Sequence, residues 1–396
     1  MKAIHHLRLA ALAAALCAVS ACIYPFHPDV LGTDDRLVIE GSILVGAESV
    51  FTFSGVHPIG SSESIKTTFS FSGYIEGEDG TRIQPESGQG SATLRFDTSG
   101  IPETQRYRVH FEDSRSQRVY ESDWIEVCSA PSIDNLSYIL DKERGELDVA
   151  LSMHCQGHSY FRWSYTETWE YTADRYATYY FDAPAAQQAR DPLKGLVKYQ
   201  NGENTFYCWK NNDSPEIKIF DTSEQKEDRF VDLEFHRVPR YDQRLQVMYR
   251  LDVRLEAMSK EAYLYWKNIE DNSQNQGTIF SPTPSQMAGN IRCVSDPDIP
   301  VLGFINACRQ ATARMYYDNS QELFCTYRIN LDDEDLEDLS PSDFFKYYQD
   351  YNYIVLNVEW DSPSGPVYTW VPKGCADCRI KGGTKDRPED WPNYHK

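Results

Sequence analysis

The sequence predicts a chemical reaction most clearly at Cys22. This cysteine follows Val19-Ser20-Ala21, behind basic Lys2 and Arg8 and an apolar run over residues 7–19. This run is too short for a stable membrane-spanning helix and is typical of a secretory signal with a lipoprotein cleavage site. The thiol of Cys22 would accept a diacylglycerol, and cleavage before it would free an amine for a further acyl chain.

The anchor predicted at Cys22 would be stable because it combines several acyl chains. Each buried methylene contributes about 0.8 kcal/mol, whereas one chain alone holds a protein only weakly. We therefore predict that residues 1–21 are a signal peptide and that Cys22 is the lipidated first residue of the mature chain. The alternative is a plain secreted protein with a chance cysteine near the cleavage site.

Cys375-Ala-Asp-Cys378 is a C-x-x-C pair, a motif of thiol redox centres and of half zinc sites. A redox pair of this kind lies between a strand and a helix, and a zinc site needs a second pair at similar spacing. This pair lies in a Gly- and Pro-rich tail, and the sequence contains no second pair. We therefore predict that its cysteines form structural disulfides.

Eight cysteines remain for disulfides when the signal peptide and Cys22 are set aside. An even number in an exported chain predicts up to four disulfides, and the sequence does not determine their pairing. The candidates are Cys128, Cys155, Cys208, Cys293, Cys308, Cys325, Cys375 and Cys378.

Two further clusters have side chains that can bind metal ions. His154-Cys155-Gln-Gly-His158 could hold a transition metal, and the acidic run Asp332–Asp338 could hold a hard cation. Gln156-Gly157 is typical of a hairpin tip, so we favour exposed turn histidines and a bridged Cys155. The acidic run lacks the glycine of an EF-hand loop, so we favour a solvated run before a helix. We predict no metal and no cofactor.

The chain of 396 residues has a formal net charge of -21, which becomes -23 without Lys2 and Arg8 of the signal. A surface this acidic repels phosphate and argues against nucleic acid as a partner. It favours cationic ligands or basic protein surfaces, although an acidic coat that keeps the protein soluble is the simpler interpretation. The length exceeds one typical domain, so we expect two folded units.

The order of the elements predicts a mainly β protein. Residues 22–35 contain prolines and no periodicity, which indicates a flexible tether. Short runs separated by turn signals over residues 36–130 predict an immunoglobulin- or fibronectin-like β-sandwich. The expected strands are Leu37–Leu44, Ser49–Ser54, Thr67–Ile75, Ser91–Phe96, Tyr107–Glu112 and Val119–Val127.

A larger β-rich domain is predicted over residues 131–370, with a Cys-, Gly- and Pro-rich tail over residues 371–396 packed on it. Odd positions of 161–171 are mainly aromatic and those of 245–257 mainly aliphatic, whereas the even positions are mainly polar. A strand with this alternation has one buried and one solvated face, as in antiparallel sheets.

Two short helices are predicted to interrupt the larger domain. Ser259 can cap a helix over residues 260–271, and Ser340 can cap a second helix over residues 341–348 that starts with proline. Residues 282–300 contain several prolines and predict a long irregular connection.

Several stretches together resemble a family of Bacteroidota lipoproteins catalogued as domain of unknown function 4249. They cover nearly the whole mature chain in a fairly specific order. These stretches are the lipoprotein cleavage site followed by Pro25-Phe26, Leu37-Val-Ile-Glu-Gly41, Tyr160-Phe-Arg-Trp163, Cys208-Trp209, Ser259-Lys-Glu-Ala-Tyr-Leu-Tyr-Trp266, Gly289-Asn-Ile291, Val301-Leu-Gly-Phe304, Cys375-Ala-Asp-Cys-Arg-Ile-Lys-Gly-Gly-Thr384, Pro388 and Trp391.

The resemblance implies an outer-membrane lipoprotein of a Gram-negative bacterium, typically encoded beside a TonB-dependent receptor. It implies no known activity and supplies no catalytic residues. Surface-exported lipoproteins of these bacteria often carry acids directly after the lipidated cysteine, whereas the first acid here is Asp29. We nevertheless expect the protein to be exposed on the cell surface.

We expect a non-enzymatic accessory or binding component of a TonB-dependent nutrient uptake system, with the membrane and the receptor as partners. Eight tryptophans are the strongest hint of a ligand, because such side chains stack on sugars and peptides, although most are expected in the core. The alternatives are a surface glycan or peptide hydrolase that uses unrecognised carboxylates, and a structural or adhesive surface protein.

Overall fold

The computed structural model describes residues 37–55, 69–200, 204–214, 218–274, 289–326, 337–339, 353–363 and 365–392. The predicted signal peptide, Cys22, the tether and the helix expected after Ser340 lie outside these residues, as do residues 332–336 of the acidic run. None of the helices in the described ranges has the length and apolar character needed to span a membrane.

Strands dominate the described residues, which confirms the predicted mainly β class. The first eleven strands are β1 Leu37–Leu44, β2 Glu48–Gly55, β3 Phe71–Gly77, β4 Arg82–Ile83, β5 Thr93–Asp97, β6 Tyr107–Asp113, β7 Arg118–Ser122, β8 Ser132–Asp141, β9 Glu146–His154, β10 Tyr160–Thr172 and β11 Tyr179–Phe181. They are followed by β12 Leu196–Lys198, β13 Tyr207–Asp213, β14 Lys218–Asp221, β15 Arg229–Pro239, β16 Met248–Ala257, β17 Ile291–Cys293, β18 Val301–Leu302, β19 Asn306–Cys308, β20 Ala311–Asp318, β21 Glu337–Leu339, β22 Tyr353–Glu359 and β23 Val367–Pro372.

Helices are few and short among the described residues. They are α1 Ala183–Ala189, α2 Lys260–Gln274, α3 Asn319–Glu322 and α4 Lys373–Ala376, with 3₁₀ turns at Pro192–Gly195, Gln243–Leu245 and Cys378–Lys381. The predicted helix after Ser259 is confirmed as α2, whose Ala262 N–H donates to Ser259 Oγ at 3.1 Å. Helix α1 was not predicted, and Asp182 caps it by accepting from Ala185 N–H at 3.1 Å.

The N-terminal strands form two sheets that pack face to face. One sheet has the order β18-β1-β2-β5 with β19 also paired to β1, and the other has the order β17-β7-β6-β3-β4. The aromatic side chains of both sheets meet between them. Phe53 of β2 stacks on Phe71 of β3 with ring centroids 3.9 Å apart, and Phe111 of β6 contacts Phe53 edge-on. This core makes the unit sandwich-like.

Three of these strands come from much later in the chain. Strand β17 pairs antiparallel with β7, whereas β18 and β19 pair parallel with β1. Residues 291–308 therefore complete the N-terminal sheets, and the connection predicted to be irregular contains strand β17. The domain boundary between residues 130 and 131 remains a prediction. That prediction did not include the return of residues 291–308 to the N-terminal sheets.

The central sheet has the order β13-β10-β16-β20. Strand β14 also pairs with β10, along residues 160–163, whereas β13 pairs with residues 166–172. The inner face of the central sheet packs on the three-stranded sheet β15-β9-β8, where Trp163 of β10 meets Phe235 of β15 edge-on at 5.0 Å. The aromatic odd-numbered residues of β10 face the core as predicted, but the opposite face is solvated only in part. Thr168 and Glu170 on that face are buried, and Glu170 accepts from Trp391 of the tail. Strand β16 begins at Met248 rather than Leu245, because Asp242 caps a 3₁₀ turn by accepting from Arg244 N–H at 2.9 Å.

The C-terminal residues form a small sheet of order β21-β23-β22 and a tail that returns to the central sheet. Trp370 and Tyr368 of β23 are buried. They pack in one cluster with Phe181 of β11 and with Ala183 and Ala186 in the first turn of α1. Beyond β23, Cys378 forms a disulfide with Cys208 of β13, and both cysteines lie in the apolar core on the inner side of the central sheet. The disulfide therefore attaches the tail covalently at the edge strand β13.

Candidate ligand groove on the central sheet

A groove of about 650 Å³ lies on the outer face of the central sheet, the face opposite the apolar core. Strands β10, β16 and β20 form its floor. Successive side chains of a strand point to opposite faces, so the polar even-numbered residues of β10 and β16 reach this face together. We call it the polar groove, and its lining residues are Thr166, Asp252, Val253, Arg254, Thr312, Ala313 and Arg314.

One row across the floor carries a network of ion pairs. Thr166, Asp252 and Arg314 are paired across the three strands. Arg314 donates to Asp252, and Arg250 Nε lies 2.9 Å from Asp252 Oδ2. Asp390 of the tail accepts from Arg250 at 2.8 Å and also pairs with Arg314. Two arginines and two aspartates thus neutralise one another at the edge of the polar groove.

This network keeps Asp390 ionised. Partial desolvation would raise the pKa of Asp390, but the hydrogen bond from Arg314 and the positive charge of Arg250 lower it below its ordinary value. A general acid needs a pKa near the working pH, which a carboxyl acquires through burial or a like charge. Asp390 therefore suits charge pairing rather than proton transfer.

The next row across the floor contains an arginine that is hydrogen-bonded to hydroxyl groups. Arg254 lies between Ser164 of β10 and Thr312 of β20 in the strand register. Its Nη2 donates to Thr166 Oγ1 at 2.9 Å and its Nε to Ser164 Oγ at 3.3 Å. The carboxylate of Asp213, which is 79% exposed, lies 3.9 Å from the same Nη2, which is beyond hydrogen-bond distance. A guanidinium flanked by hydroxyls can bind a carboxylate or a similar anion.

Trp391 of the tail closes one end of the polar groove. Its indole N–H donates to Glu170 Oε2 at 2.9 Å, and its ring lies against Tyr316 of β20, with centroids 6.1 Å apart. The guanidinium of Arg250 lies 5.5 Å from the centre of the indole ring. Trp391 is buried at this end, so it acts as a wall rather than as an exposed stacking surface.

Helix α2 lies towards the other end of the same face. Arg162 of β10 donates to Glu256 of β16 at 2.7 Å, and its guanidinium lies 5.1 Å from the ring centre of Trp266 in α2. Tyr160 and Tyr263 pack together beside this pair. The polar groove therefore has an open, hydroxyl-rich middle between two ends that are held by aromatic side chains.

The family model of a domain of unknown function, DUF4249, matches residues 23–314. The chain belongs to this family. The match includes β10, β16 and the part of β20 that carries Thr312 and Arg314, whereas Asp390 and Trp391 lie beyond it. A comparison with curated proteins found no match. The predicted family is confirmed, while the Bacteroidota origin remains a prediction.

The C-x-x-C pair of this DUF4249 chain does not form a disulfide within itself. Cys378 bonds to Cys208 across 170 residues, with their Cα atoms 5.7 Å apart. The backbone carbonyl of Cys375 accepts from the N–H groups of Asp174 and Arg175, each at 2.8 Å. The predicted structural role is confirmed for the Cys208–Cys378 disulfide.

Four other candidate cysteines are free thiols in this structure: Cys128, Cys155, Cys293 and Cys308. Cys155 lies 3.9 Å from Thr222 Oγ1, and Cys293 Sγ lies 3.4 Å from Ser295 Oγ. Cys325 Sγ lies 3.6 Å from the carbonyl oxygen of Asp242. The expectation of a bridged Cys155 does not match this arrangement, in which the thiol is buried beside a hydroxyl.

The two histidines of the predicted hairpin tip do not converge. Gln156 and Gly157 form a turn with positive φ angles, but the predicted hairpin is wrong, because the turn connects β9 and β10 of two different sheets. His154 Nδ1 lies 2.7 Å from a carboxylate oxygen of Asp134, whereas His158 Nε2 lies 2.9 Å from Ser129 Oγ. Across the described ranges, no three His, Cys, Asp or Glu side chains are grouped in a way that could hold a metal ion.

A buried carboxylate was missed by sequence reasoning. Glu167 lies on the inner face of β10, where it is 2% exposed. Its Oε1 accepts from Arg244 at 2.7 Å, from the Tyr249 hydroxyl at 2.7 Å and pairs with His236 Nε2 at 3.0 Å. Burial would raise the pKa of Glu167, but its partners lower it. The sequence feature that could have identified Glu167 is its position as the one acid on the otherwise aromatic face of residues 161–171.

Proposed function

We propose that the protein is a non-enzymatic binding component of a TonB-dependent nutrient uptake system in a bacterium of the Bacteroidota. In this proposal Cys22 carries the lipid that anchors it in the outer membrane, with the folded part exposed on the cell surface. The polar groove then binds a ligand and holds it beside the receptor. The lipoprotein cleavage site before Cys22 supports the anchor.

The binding role is supported by which charged side chains in the polar groove make hydrogen-bonded ion pairs and which do not. Asp252 and Asp390 are paired with arginines, whereas Arg254 keeps a partly exposed guanidinium among hydroxyl groups. This arrangement offers a ligand hydrogen-bond donors and one positive charge. It supports recognition of an acidic glycan or peptide more than proton transfer at pH 7.

The experiment is a screen of the purified protein against acidic oligosaccharides that contain uronic acids and against acidic peptides. Equilibrium binding and turnover are measured on the same samples. The proposal expects saturable binding with the ligand recovered intact. Turnover that is abolished by Asp252→Asn would instead establish a hydrolase and contradict the non-enzymatic role.

A further inference from the structure

Cys128 and Cys308 lie directly opposite each other in a parallel β-bridge. The N–H of Cys128 donates to the carbonyl of Ala307 at 2.9 Å, and the N–H of Arg309 donates to the carbonyl of Cys128 at 3.1 Å. These two bonds flank Cys308 on both sides. The register that places the two cysteines opposite each other is therefore fixed by the backbone.

This register brings the two cysteines to bridging distance. Neighbouring strands of a sheet lie about 4.8 Å apart, and directly opposed residues project their side chains to the same face. Disulfides join cysteines whose Cα atoms are about 4.4–6.8 Å apart. The usual strand spacing falls within this range, so the paired register is compatible with a bond between the two side chains.

We propose that Cys128 and Cys308 form a second disulfide in the exported protein. The proposal rests on the export that the proposed function requires, but it is independent of the ligand and of the receptor. The bond would join the segment between β7 and β8, which contains Cys128, to β19, the strand that pairs with β1. Residues 129–307 would then form a covalently closed loop that contains most of the central sheet.

The chemistry needs an oxidant, which a protein disulfide of an export compartment supplies. The Cys128 thiolate attacks that disulfide, forms a mixed disulfide and releases one oxidant thiol. Cys308 then attacks the Cys128 sulfur and releases the second oxidant thiol. Two protons leave the pair, and two electrons reduce the oxidant disulfide.

Burial indicates when this reaction occurs. Cys308 is fully buried and Cys128 is half-buried. Burial raises the pKa of Cys128 to about 11 and that of Cys308 well above its ordinary value, so the folded protein contains little thiolate at neutral pH. The bond therefore forms during folding, before strand β19 is covered, and the reduced folded protein oxidises slowly.

Peptide mapping by mass spectrometry tests the proposal. Protein from the exported fraction is unfolded with an alkylating reagent and without reductant, and then digested. We expect a linked peptide pair that contains Cys128 and Cys308, together with alkylated Cys155. Cys128→Ser should leave Cys308 alkylated, while the matched variant Cys155→Ser should keep the linked pair.

A second measurement makes the result independent of where the protein resides in the cell. The reduced, unfolded chain is refolded in a buffer of reduced and oxidised glutathione and mapped in the same way. Formation of both the Cys208–Cys378 and the Cys128–Cys308 links supports the proposal. Refolded protein with Cys208–Cys378 linked and with Cys128 and Cys308 both alkylated would overturn it, whatever the ligand and receptor experiments show.

Discussion

Trp391 near the end of the described chain donates its indole N–H to Glu170 of β10, which lies 221 residues earlier, at 2.9 Å. Both side chains are almost fully buried. The bond holds the tail against the outer face of the central sheet, where the neighbouring Asp390 reaches Arg250 and Arg314. One end of the polar groove therefore depends on a contact between the tail and strand β10.

Trp391→Ala should lower the free energy of unfolding by about 3–5 kcal/mol, because it removes a buried aromatic ring and leaves Glu170 without this donor. Trp391→Phe should cost less, since the ring is largely retained. Urea denaturation measures both variants. Trp360, which is 51% exposed, provides the control Trp360→Ala. Equal losses for Trp391→Ala and Trp360→Ala would show that the tail contact does not stabilise the fold.

Removal of the Cys208–Cys378 disulfide should destabilise the oxidised protein by about 2–5 kcal/mol, since the bond restricts the unfolded chain across 170 residues. The double variant Cys208→Ala, Cys378→Ala is compared with the wild type by urea denaturation without reductant. Cys155→Ala serves as the control, because Cys155 is also buried but has no disulfide. A double variant as stable as the wild type would contradict a stabilising role for this bond.

Glu167→Gln should destabilise the protein at pH 7 by about 3–5 kcal/mol, because Arg244 and His236 lose a buried anion. The pKa of Glu167 is lowered in the folded state, so its stabilising effect is present above the unfolded pKa of about 4.3 and is lost as the pH falls through the folded pKa. Urea denaturation from pH 7 down to pH 3 should show the difference between wild type and variant shrinking in acid. A difference that stays constant with pH would rule out this linkage.

Arg254→Gln should weaken binding of an acidic oligosaccharide or peptide about 10- to 100-fold, which corresponds to the loss of one charge-assisted hydrogen bond. Isothermal titration calorimetry measures the affinity. Arg95→Gln is the control, because Arg95 is also a partly exposed arginine on a strand but lies on the N-terminal unit, away from the polar groove. Equal affinities for Arg254→Gln and wild type would place the ligand outside the polar groove.

The sequence predicts those parts of the fold that depend on local pattern. Alternation along residues 161–171 identifies the two faces of β10, and Ser259 marks the start of α2. Strands β17 to β19 have two or three residues each, which is too short for a periodic signal. Their places depend on pairing with β7 and β1 far away in the chain.

The polar groove could be predicted only in part for the same reason. Even positions of β10 and β16 are mainly polar in the sequence, which indicates a solvated face. The third strand of the floor, β20, was not predicted, and the approach of Asp390 to Arg314 depends on the path of the tail. Glu167 was visible as an acid on an aromatic face, but its partners Arg244 and Tyr249 are identified only by the packing of the sheets.

Affinity purification from solubilised outer membranes tests the accessory role most directly. The tagged wild type is compared with Cys22→Ser, which is exported but cannot accept the lipid, and co-purified proteins are identified by mass spectrometry. We predict that the wild type is lipidated at Cys22 and recovers a TonB-dependent receptor, and that Cys22→Ser recovers much less of it. Recovery of the lipidated protein alone, without a receptor, would contradict the proposed function.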